Sequence, residues 1–310
     1  MMNEDLGSAR VVVVGTGTMA SGIAAGFIAA GMPVTVLGRD AERAAASLHA
    51  GLAMAGNPAA PAAGHRAARI DDAQSWDDVV WVIETVAEDL ALKQRLFAWL
   101  DTAVPPAVPI GNNSSGFPVS RIAEGLATRR RMFNAHYFMP AHLVPLVEVA
   151  LGTDSDAALG EAVCALYRRI GKKPVLVRRD IPGFLGNRIQ HALMREALSL
   201  IDSGIASAED IDTAVRYSFG FRYAAAGPIL QKEISGWDSM ARAAEEIYPS
   251  LSTATTLARC VSERVAAGHT GMKAGEGFRR WSTEEIAVER SAYEARLRAA
   301  FDVLGLASGT

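Results

Sequence analysis

The sequence predicts a doubly wound α/β domain with a parallel sheet, followed by a smaller all-helical domain. Up to residue 180, short apolar runs alternate with helical stretches. Several of these runs are apolar throughout, as expected for parallel strands that are covered on both faces. Beyond residue 180 the strand pattern stops and amphipathic helical patterns take over. We therefore predict a first domain over 1–180 and a helical domain over 181–310.

The predicted elements follow the hydrophobic pattern. The strands are predicted at Arg10–Val14, Pro33–Leu37, Val79–Glu84, Val108–Asn112, Arg131–Tyr137, Leu146–Val149 and Val175–Val177. The main helices are predicted at Met19–Ala30, within the Ala-rich stretch Ala41–Ala68 before a loop at Gly56–Gly64, and at Leu185–Ile201, Ala208–Tyr217, Trp237–Ile247, Leu251–Ala267 and Thr283–Leu304. Two of these helices begin with a capping pair, Ser207 with Asp210 and Ser282 with Glu285.

Composition argues against several classes of function. Half of the 310 residues are hydrophobic (50%), and the formal net charge is only -3, so we expect no binding to nucleic acid or to an anionic membrane. No run approaches the roughly 18 apolar residues of a membrane span, and the N-terminus does not resemble a signal peptide. Cys164 and Cys260 lack metal-ligand spacing, so we expect no metal and a reducing, cytoplasmic setting.

A glycine-rich loop follows the first strand. In Gly15-x-Gly17-x-x-Ala20, Gly15 permits a tight turn and Gly17 lets the backbone approach a pyrophosphate. Thr18 and Met19 stand at the N-terminus of the next helix, whose free N–H groups and positive dipole end favour phosphate. This Rossmann pattern predicts a dinucleotide cofactor, and the alternative is a structural turn without a ligand.

The end of the second predicted strand bears on the form of the cofactor. Gly38 stands where NAD-preferring proteins carry an acid that binds the ribose 2′-hydroxyl. Arg39 follows it and can meet a 2′-phosphate instead. We therefore predict NADP as the preferred cofactor. NAD is the alternative, with Asp40 binding the ribose and Arg39 merely solvated.

Seven motifs occur in a fixed order along almost the whole chain. They are GTGTMASGIA at 15–24, IETVAEDLALK at 83–93, NNSSGFP at 112–118, HYFMP at 136–140, PLVEV at 145–149, DIPGFLGNR at 180–188 and GMKAGEGF at 271–278. Together they resemble the 3-hydroxyacyl-CoA dehydrogenase superfamily, most of all its single-function enzymes of the L-gulonate/lambda-crystallin, carnitine and pyridoxine-degradation types. The resemblance implies an NAD(P)-dependent oxidoreductase acting on a CH–OH group, and a homodimer formed through the helical domain.

Two side chains are predicted to form an acid–base pair. Oxidation of a secondary alcohol needs a base for the hydroxyl proton, and histidine is suited to this near neutral pH. His136 closes a predicted strand, while Glu148 lies in an apolar run where an ionised carboxylate needs a partner. The resemblance identifies the two as the family's His–Glu dyad. For His136 alone, the alternative is a hydrogen-bonded structural histidine.

The resemblance implies roles for further residues. Ser115 would hydrogen-bond the substrate oxygen, Asn187 would face the His–Glu pair, and Glu88 and Lys93 would line the cofactor. Each has an ordinary alternative, namely a turn serine, a solvent-facing helix residue or a surface charge. Arg222, within FGFRYAAAGP, is a candidate partner for a substrate carboxylate, with a surface arginine as the alternative.

Departures from the family pattern bear on the substrate. Met139 stands where the family usually has Asn, and Gly116 stands where it has Leu. Residues 41–70 contain no lysine, although enzymes that handle coenzyme A usually offer lysines there. We therefore expect a small β-hydroxy or β-keto acid rather than a coenzyme A thioester. Two rivals stay open, a ketoreductase for a bulky polyketide or aromatic carbonyl and a non-catalytic NADP(H) sensor.

Overall fold

The chain divides into two compact units in a computed structural model that describes residues 8–56, 64–72 and 74–306. The first unit extends to Arg188 and the second begins at Ile189. The boundary predicted after residue 180 falls between the last strand and the next helix, and it stays a prediction.

An eight-stranded sheet forms the framework of the first unit. Its strands are β1 Arg10–Val14, β2 Val34–Gly38, β3 Arg66–Arg69, β4 Val79–Glu84, β5 Ile110–Asn112, β6 Met132–Tyr137, β7 Leu146–Leu151 and β8 Lys173–Val177. They lie in the order β3-β2-β1-β4-β5-β6-β7-β8. Neighbouring strands are parallel except β6 and β7, which pair antiparallel. The predicted doubly wound α/β fold is confirmed, with one reversed strand pair.

Helices account for most of the remaining chain. The first unit contains α1 Thr18–Ala29, α2 Ala41–Met54, α3 Leu90–Ala103, α4 Val119–Ile122 and α5 Ala157–Arg169, while α6 Gly186–Asp202 begins in it and continues into the second unit. The second unit contains α7 Ala208–Tyr217, α8 Phe219–Ala225, α9 Pro228–Ser235, α10 Trp237–Ile247, α11 Arg259–Ala266 and α12 Thr283–Val303. Among the described residues, no helix is long and apolar enough to cross a membrane.

The central strands of the sheet are buried on both faces, as their continuous apolar runs predict. Val11 and Val13 point into one core, which includes Phe27 and Tyr167 from helices α1 and α5. Val12 and Val14 point into the opposite core, together with Phe97 and Leu100 of α3. Both predicted capping pairs, Ser207 with Asp210 and Ser282 with Glu285, form complete capping boxes.

Some predicted elements are wrong or were missed. The Ala-rich helix ends at Met54, the predicted loop after it falls largely on residues 57–63, which lie outside the described residues, and β3 follows. The sequence of β3, RAAR, contains no β-branched or aromatic residue, so its strand pattern is weak. Helices α3, α4, α5, α8 and α9 are not among the predicted elements.

The helix predicted over Leu251–Ala267 begins only at Arg259. The reason is a cap from a distant residue, because Asp202 at the end of α6 accepts hydrogen bonds from the backbone N–H groups of Arg259 (2.7 Å) and Cys260 (2.8 Å). A carboxylate in this position satisfies N–H groups that have no partner within the helix. The local periodicity before Arg259 therefore does not become helix.

Candidate active site

The carboxyl ends of β1, β4, β5 and β6 meet at one edge of the sheet, because these strands are parallel. Gly15 follows β1, Glu84 ends β4, Asn112 ends β5, and His136 is the second-last residue of β6. Ligands of doubly wound sheets bind beyond this edge. A cavity of about 400 Å³ opens there, which is a usual size for a small-molecule site.

This cavity brings together several of the predicted site residues. It is lined by the predicted Met19, Glu88, Lys93, Ser115, His136 and Asn187, and also by Thr85, Val86, Asn113, Tyr137, Phe138 and Met139. All of these residues belong to the first unit. Arg222 lies exposed on α8 of the second unit, and its role stays a prediction.

The antiparallel pairing of β6 and β7 places His136 directly opposite Glu148. Directly opposite residues on adjacent strands lie on the same face of a sheet. His136 Nδ1 and Glu148 Oε2 are 2.8 Å apart, and both side chains are buried. Backbone register therefore creates the pair that the sequence predicts, while its catalytic role stays a proposal.

Both carboxylate oxygens of Glu148 accept hydrogen bonds. Oε2 accepts from His136, and Oε1 accepts from the backbone N–H groups of Leu185 (2.9 Å) and Gly186 (2.8 Å), at the N-terminus of α6. Burial raises the pKa of Glu148, but the hydrogen bonds from His136, Gly186 and Leu185 outweigh it and hold the pKa below its ordinary value. The positive end of the helix dipole acts in the same direction. Glu148 is therefore ionised at neutral pH.

The ionised carboxylate fixes the tautomer of His136. Because an ionised carboxylate has no proton to donate, Nδ1 of His136 carries the hydrogen, and in the neutral ring Nε2 is therefore the acceptor. Ser115 Oγ lies 2.9 Å from Nε2, so the serine hydroxyl donates to the ring. His136 thus presents a basic nitrogen to the cavity, with Ser115 already in contact with it.

Two aromatic rings and a strained turn hold this pair in place. The imidazole of His136 lies 4.7 Å from the ring of Phe138 and 5.4 Å from that of Phe184, measured between centroids. Phe184 is buried with φ of 44°, a left-handed conformation that is costly for a residue with a side chain. The two N–H groups that follow it are the ones bonded to Glu148. Gly186 leaves room for Phe138, since an added Cβ would lie 2.5 Å from its ring.

A second buried ion pair supports the serine-containing loop. Lys93 Nζ lies 2.9 Å from both carboxylate oxygens of Glu84 and donates to Asn112 Oδ1 at 3.2 Å. The Lys93 and Glu84 side chains are 1% and 0% exposed. Asn112 Oδ1 also accepts the backbone N–H of Ser114 at 3.1 Å. Lys93 lines the cavity, but its charge is paired with Glu84.

Glu88 holds the same loop from the solvent side. Its carboxylate accepts a hydrogen bond from the Ser114 hydroxyl and another from the Gly116 backbone N–H at 3.2 Å. The Glu88 side chain is 47% exposed, and its second oxygen lies 3.7 Å from Lys93 Nζ. The residues on either side of Ser115 are therefore both fixed by one carboxylate.

Sequence reasoning missed Glu84, Asn112, Ser114 and Phe184. The signal for Glu84 is present in the sequence, because a carboxylate that ends an apolar strand needs a partner just as Glu148 does. For Phe184 there is no such signal, since nothing in its neighbours specifies a left-handed phenylalanine.

The glycine loop has the geometry that a dinucleotide pyrophosphate needs. Gly15 has φ of 136°, and an added Cβ would overlap Thr85. An added Cβ at Gly17 would meet no protein atom within 4 Å, so open space lies above it. Helix α1 begins at Thr18 with no side-chain cap, which leaves its first N–H groups available to phosphate.

In Rossmann domains the ribose of the adenosine lies at the end of the second strand, which here is β2. A Cβ added at Gly38 would lie 2.5 Å from Thr16 Cγ2, so an acid in this position would collide with the glycine loop. Asp40 caps α2 by accepting the backbone N–H of Arg43 at 2.9 Å. Arg39 is exposed and has no hydrogen bond or ion pair with any other described residue.

Two family models match the chain in succession. The NAD binding domain of 3-hydroxyacyl-CoA dehydrogenase matches residues 10–181, and the C-terminal domain of 3-hydroxyacyl-CoA dehydrogenase matches residues 183–281. The chain belongs to the 3-hydroxyacyl-CoA dehydrogenase family. The predicted resemblance and its oxidoreductase class are confirmed at this level, and the first domain is of the NAD-binding type.

Individual relatives cover nearly the whole chain. A 5-formyl-3-hydroxy-2-methylpyridine 4-carboxylate (FHMPC) 5-dehydrogenase of Mesorhizobium japonicum is 30% identical over 285 residues, 89% of this chain and 92% of that protein. An L-carnitine dehydrogenase of Nocardiopsis dassonvillei is 35% identical over 295 residues, 90% of this chain and 88% of that protein. A crystal structure of an FHMPC 5-dehydrogenase, described as an NAD⁺-dependent dismutase, matches with a TM-score of 0.85 at 26% identity, covering 96% of this chain and 98% of that one.

Two glycine variants separate the folding role of the loop from its binding role. We expect Gly15→Ala to lower the free energy of unfolding by about 1–3 kcal/mol, because its φ is strained for alanine and its Cβ meets Thr85. Gly17→Ala should cost less stability, because its added Cβ meets no protein atom and only the N-cap preference of α1 is affected. It should weaken binding of reduced dinucleotide, measured by fluorescence titration. Unchanged dinucleotide affinity in Gly17→Ala would contradict the assignment of that open space to the pyrophosphate.

Glu148→Gln tests the double role of the carboxylate. A glutamine that gives its one oxygen to the N–H groups of Leu185 and Gly186 turns its NH₂ towards His136. The ring then either keeps an unsatisfied Nδ1 hydrogen or moves that hydrogen to Nε2, which removes the basic nitrogen. Leaving buried donors unsatisfied costs roughly 1–3 kcal/mol, and we expect that loss in urea denaturation at neutral pH. Glu161→Gln, an exposed carboxylate on α5, is the matched control.

Urea denaturation of wild type and Glu148→Gln at lower pH tests whether the stabilising form of Glu148 is the ionised one. Because the folded pKa of Glu148 lies below its ordinary value of 4.5, its contribution to stability is present above that pH and is lost as pH falls through the folded pKa. The stability gap between wild type and Glu148→Gln should therefore narrow in acid. If wild type and Glu148→Gln are equally stable at neutral pH, or if their difference in free energy of unfolding does not change with pH, Glu148 is not an ionised carboxylate with both oxygens hydrogen-bonded.

Proposed function

We propose that the protein is a nicotinamide-dependent dehydrogenase that interconverts a hydroxyl and a carbonyl group at the β-carbon of a small acid. The observation that carries the proposal is the hydrogen-bond chain from Ser115 through His136 to Glu148, which ends in a cavity lined also by Met19 of the dinucleotide-binding helix. The names of two relatives specify a pyridine carboxylate and L-carnitine, which supports a small substrate.

In the direction of oxidation, His136 Nε2 takes the proton of the substrate hydroxyl while the hydrogen on the same carbon leaves as hydride. A nicotinamide dinucleotide, held by the loop of Gly15 and Gly17 and the uncapped start of α1, would supply the hydride acceptor, or the donor in the reverse direction. Glu148 stabilises the imidazolium that forms. In the direction of reduction, the imidazolium returns its proton to the carbonyl oxygen.

Ser115 and Asn187 are proposed to hold the reacting oxygen. The Ser115 hydroxyl occupies the position next to Nε2, so a substrate hydroxyl that displaces it comes to lie beside both groups. The Asn187 amide lines the cavity and has no hydrogen-bond partner among the described residues. It is therefore available to the substrate oxygen.

His136→Ala tests the base. A panel of hydroxy acids and ketones, with and without coenzyme A, first finds the best substrate of the wild type. On that substrate we expect kcat to fall by ~10²–10⁴, the usual contribution of general acid–base catalysis, with binding of the dinucleotide retained. Turnover within about tenfold of wild type would contradict the proposal. Dinucleotide binding with no hydride exchange across the panel would favour the sensor, and turnover of bulky ketones alone would favour the ketoreductase.

The preference for NADP is a separate proposal, supported by Gly38 and by Arg39, which has no hydrogen bond or ion pair with the residues that the structure describes. The family description and the FHMPC 5-dehydrogenase structure name NAD, so NADH is the matched control. We expect Arg39→Gln to weaken NADPH binding roughly 10- to 100-fold, the value of one charged hydrogen bond, and to leave NADH binding unchanged. Equal affinity of the wild type for the two cofactors would overturn the preference.

The homodimer is likewise proposed for the second unit. Large apolar side chains lie exposed there, among them Ile205, Phe221, Ile229 and Ile234 at 65–75%, and a protein surface of this kind usually contacts a partner. The cytoplasmic setting and the absence of a metal stay predictions. No group of three potential metal ligands occurs among the described residues.

A further inference from the structure

We propose that Lys172 is a positioning residue that fixes the segment of residues 138–145 between the two strands of the His–Glu pair. This inference rests on the proposed function, because the segment joins the strand of His136 to the strand of Glu148. It also contributes Phe138 and Met139 to the lining of the cavity. Lys172 itself does not line that cavity and would act only through this segment.

The contacts of Lys172 are directed at both ends of one turn. Its ammonium group donates to the carbonyl oxygens of Ala141 (2.7 Å) and Val144 (2.9 Å). In the same turn, the backbone N–H groups of Leu143 and Val144 both donate to the carbonyl oxygen of Pro140. Lys172 is buried, being 7% exposed. The Lys172 side chain therefore adds two hydrogen bonds to a turn whose backbone hydrogen bonds go to the carbonyl of Pro140.

Helix α1 packs against the same turn. Gly22 of α1 leaves room for Ala141, since an added Cβ would lie 3.1 Å from Ala141 Cβ. Gly26, one turn further along α1, lies close to the lysine, since an added Cβ would be in ordinary contact with Lys172 Cε at 3.6 Å. The helix that begins at the dinucleotide loop, the turn and the lysine are thus in mutual contact.

Lys172 carries out this role without an acidic partner. Among the described residues it forms no ion pair, and the titratable side chains nearby are Tyr137, whose ring centroid lies 5.9 Å from Nζ, Tyr167 against Tyr137, and His142 within the segment. Burial raises the pKa of both tyrosines and keeps them neutral. Burial also lowers the pKa of Lys172 from its ordinary value of 10.5 to about 8.

Loss of that proton weakens the hold on the turn. Hydrogen bonds from an ionised donor are roughly twice as strong as neutral ones, so the turn should loosen as pH rises through about 8. The free energy of unfolding of the whole protein changes in the opposite direction as pH rises. Between about 8 and 10.5 the unfolded state binds more protons at this site than the folded state, and the stability contributed by this group therefore rises with pH. A local loosening is thus distinguishable from unfolding.

Hydrogen exchange of the peptide covering 138–145 tests the inference in the full chain. Lys172→Met keeps the stem but removes the ammonium group, and we expect exchange of this peptide to rise by roughly tenfold or more, the loss of a charged hydrogen bond. Lys172→Arg keeps a permanent charge and should restore slow exchange. Lys173→Met, the same change at the exposed neighbouring residue, is the matched control and should behave as wild type.

The pH dependence of hydrogen exchange and the kinetics of Lys172→Met complete the test. Corrected for intrinsic rates, exchange of the wild-type peptide should rise between about pH 7 and pH 9, and that of Lys172→Arg should not. On the best substrate, Lys172→Met should lower kcat by up to ~10²-fold, as small misplacements do, while NADH affinity is retained.

Unchanged exchange in Lys172→Met, or exchange that rises equally throughout the sheet, would overturn the positioning role. If no substrate is turned over by the wild type, the proposed function fails, but the exchange measurement still decides whether Lys172 fixes the turn.

Discussion

The buried carboxylate of Glu148 is the interaction on which the geometry of the site depends. An ionised carboxylate in the interior is costly unless its oxygens are hydrogen-bonded. One oxygen requires His136, which the antiparallel register of β6 and β7 places opposite. The other requires the start of α6, which the left-handed Phe184 turns towards it. The reversed strand pair, the strained turn and the helix start are therefore the three features that together satisfy one buried charge.

A comparison of the two buried glutamates shows how the partner decides the role. Glu84 is paired with Lys93, and burial raises the pKa of Glu84 against the attraction of that lysine. Glu148 is paired with an imidazole, and its hydrogen bonds hold its pKa low. In the first pair the ammonium group of Lys93 is bonded to Glu84, and the pair orders the loop of Ser115 through Asn112. The second pair leaves a basic nitrogen facing the cavity.

What could be predicted from the sequence was the part set by local patterns or by the cost of burying charge. The first strand is recognisable by its four consecutive valines, and Glu148 because an ionised carboxylate in an apolar run needs a partner. The family resemblance adds His136 as that partner. The rest depends on distant contacts. Strand β3 is specified by pairing with β2 rather than by its own residues, and α11 begins where Asp202, 57 residues earlier, caps it.

The charges of the cavity limit how an acidic substrate can be recognised. Among the described residues that line it, Lys93 is the one lysine or arginine, and its charge is committed to Glu84. Met139, 64% exposed, adds apolar surface rather than a hydrogen-bond donor. The lining therefore offers no free positive charge to a carboxylate. An acidic substrate bound in this lining would rely on neutral hydrogen-bond donors such as Asn113 and Asn187, and the role of Arg222 stays a prediction.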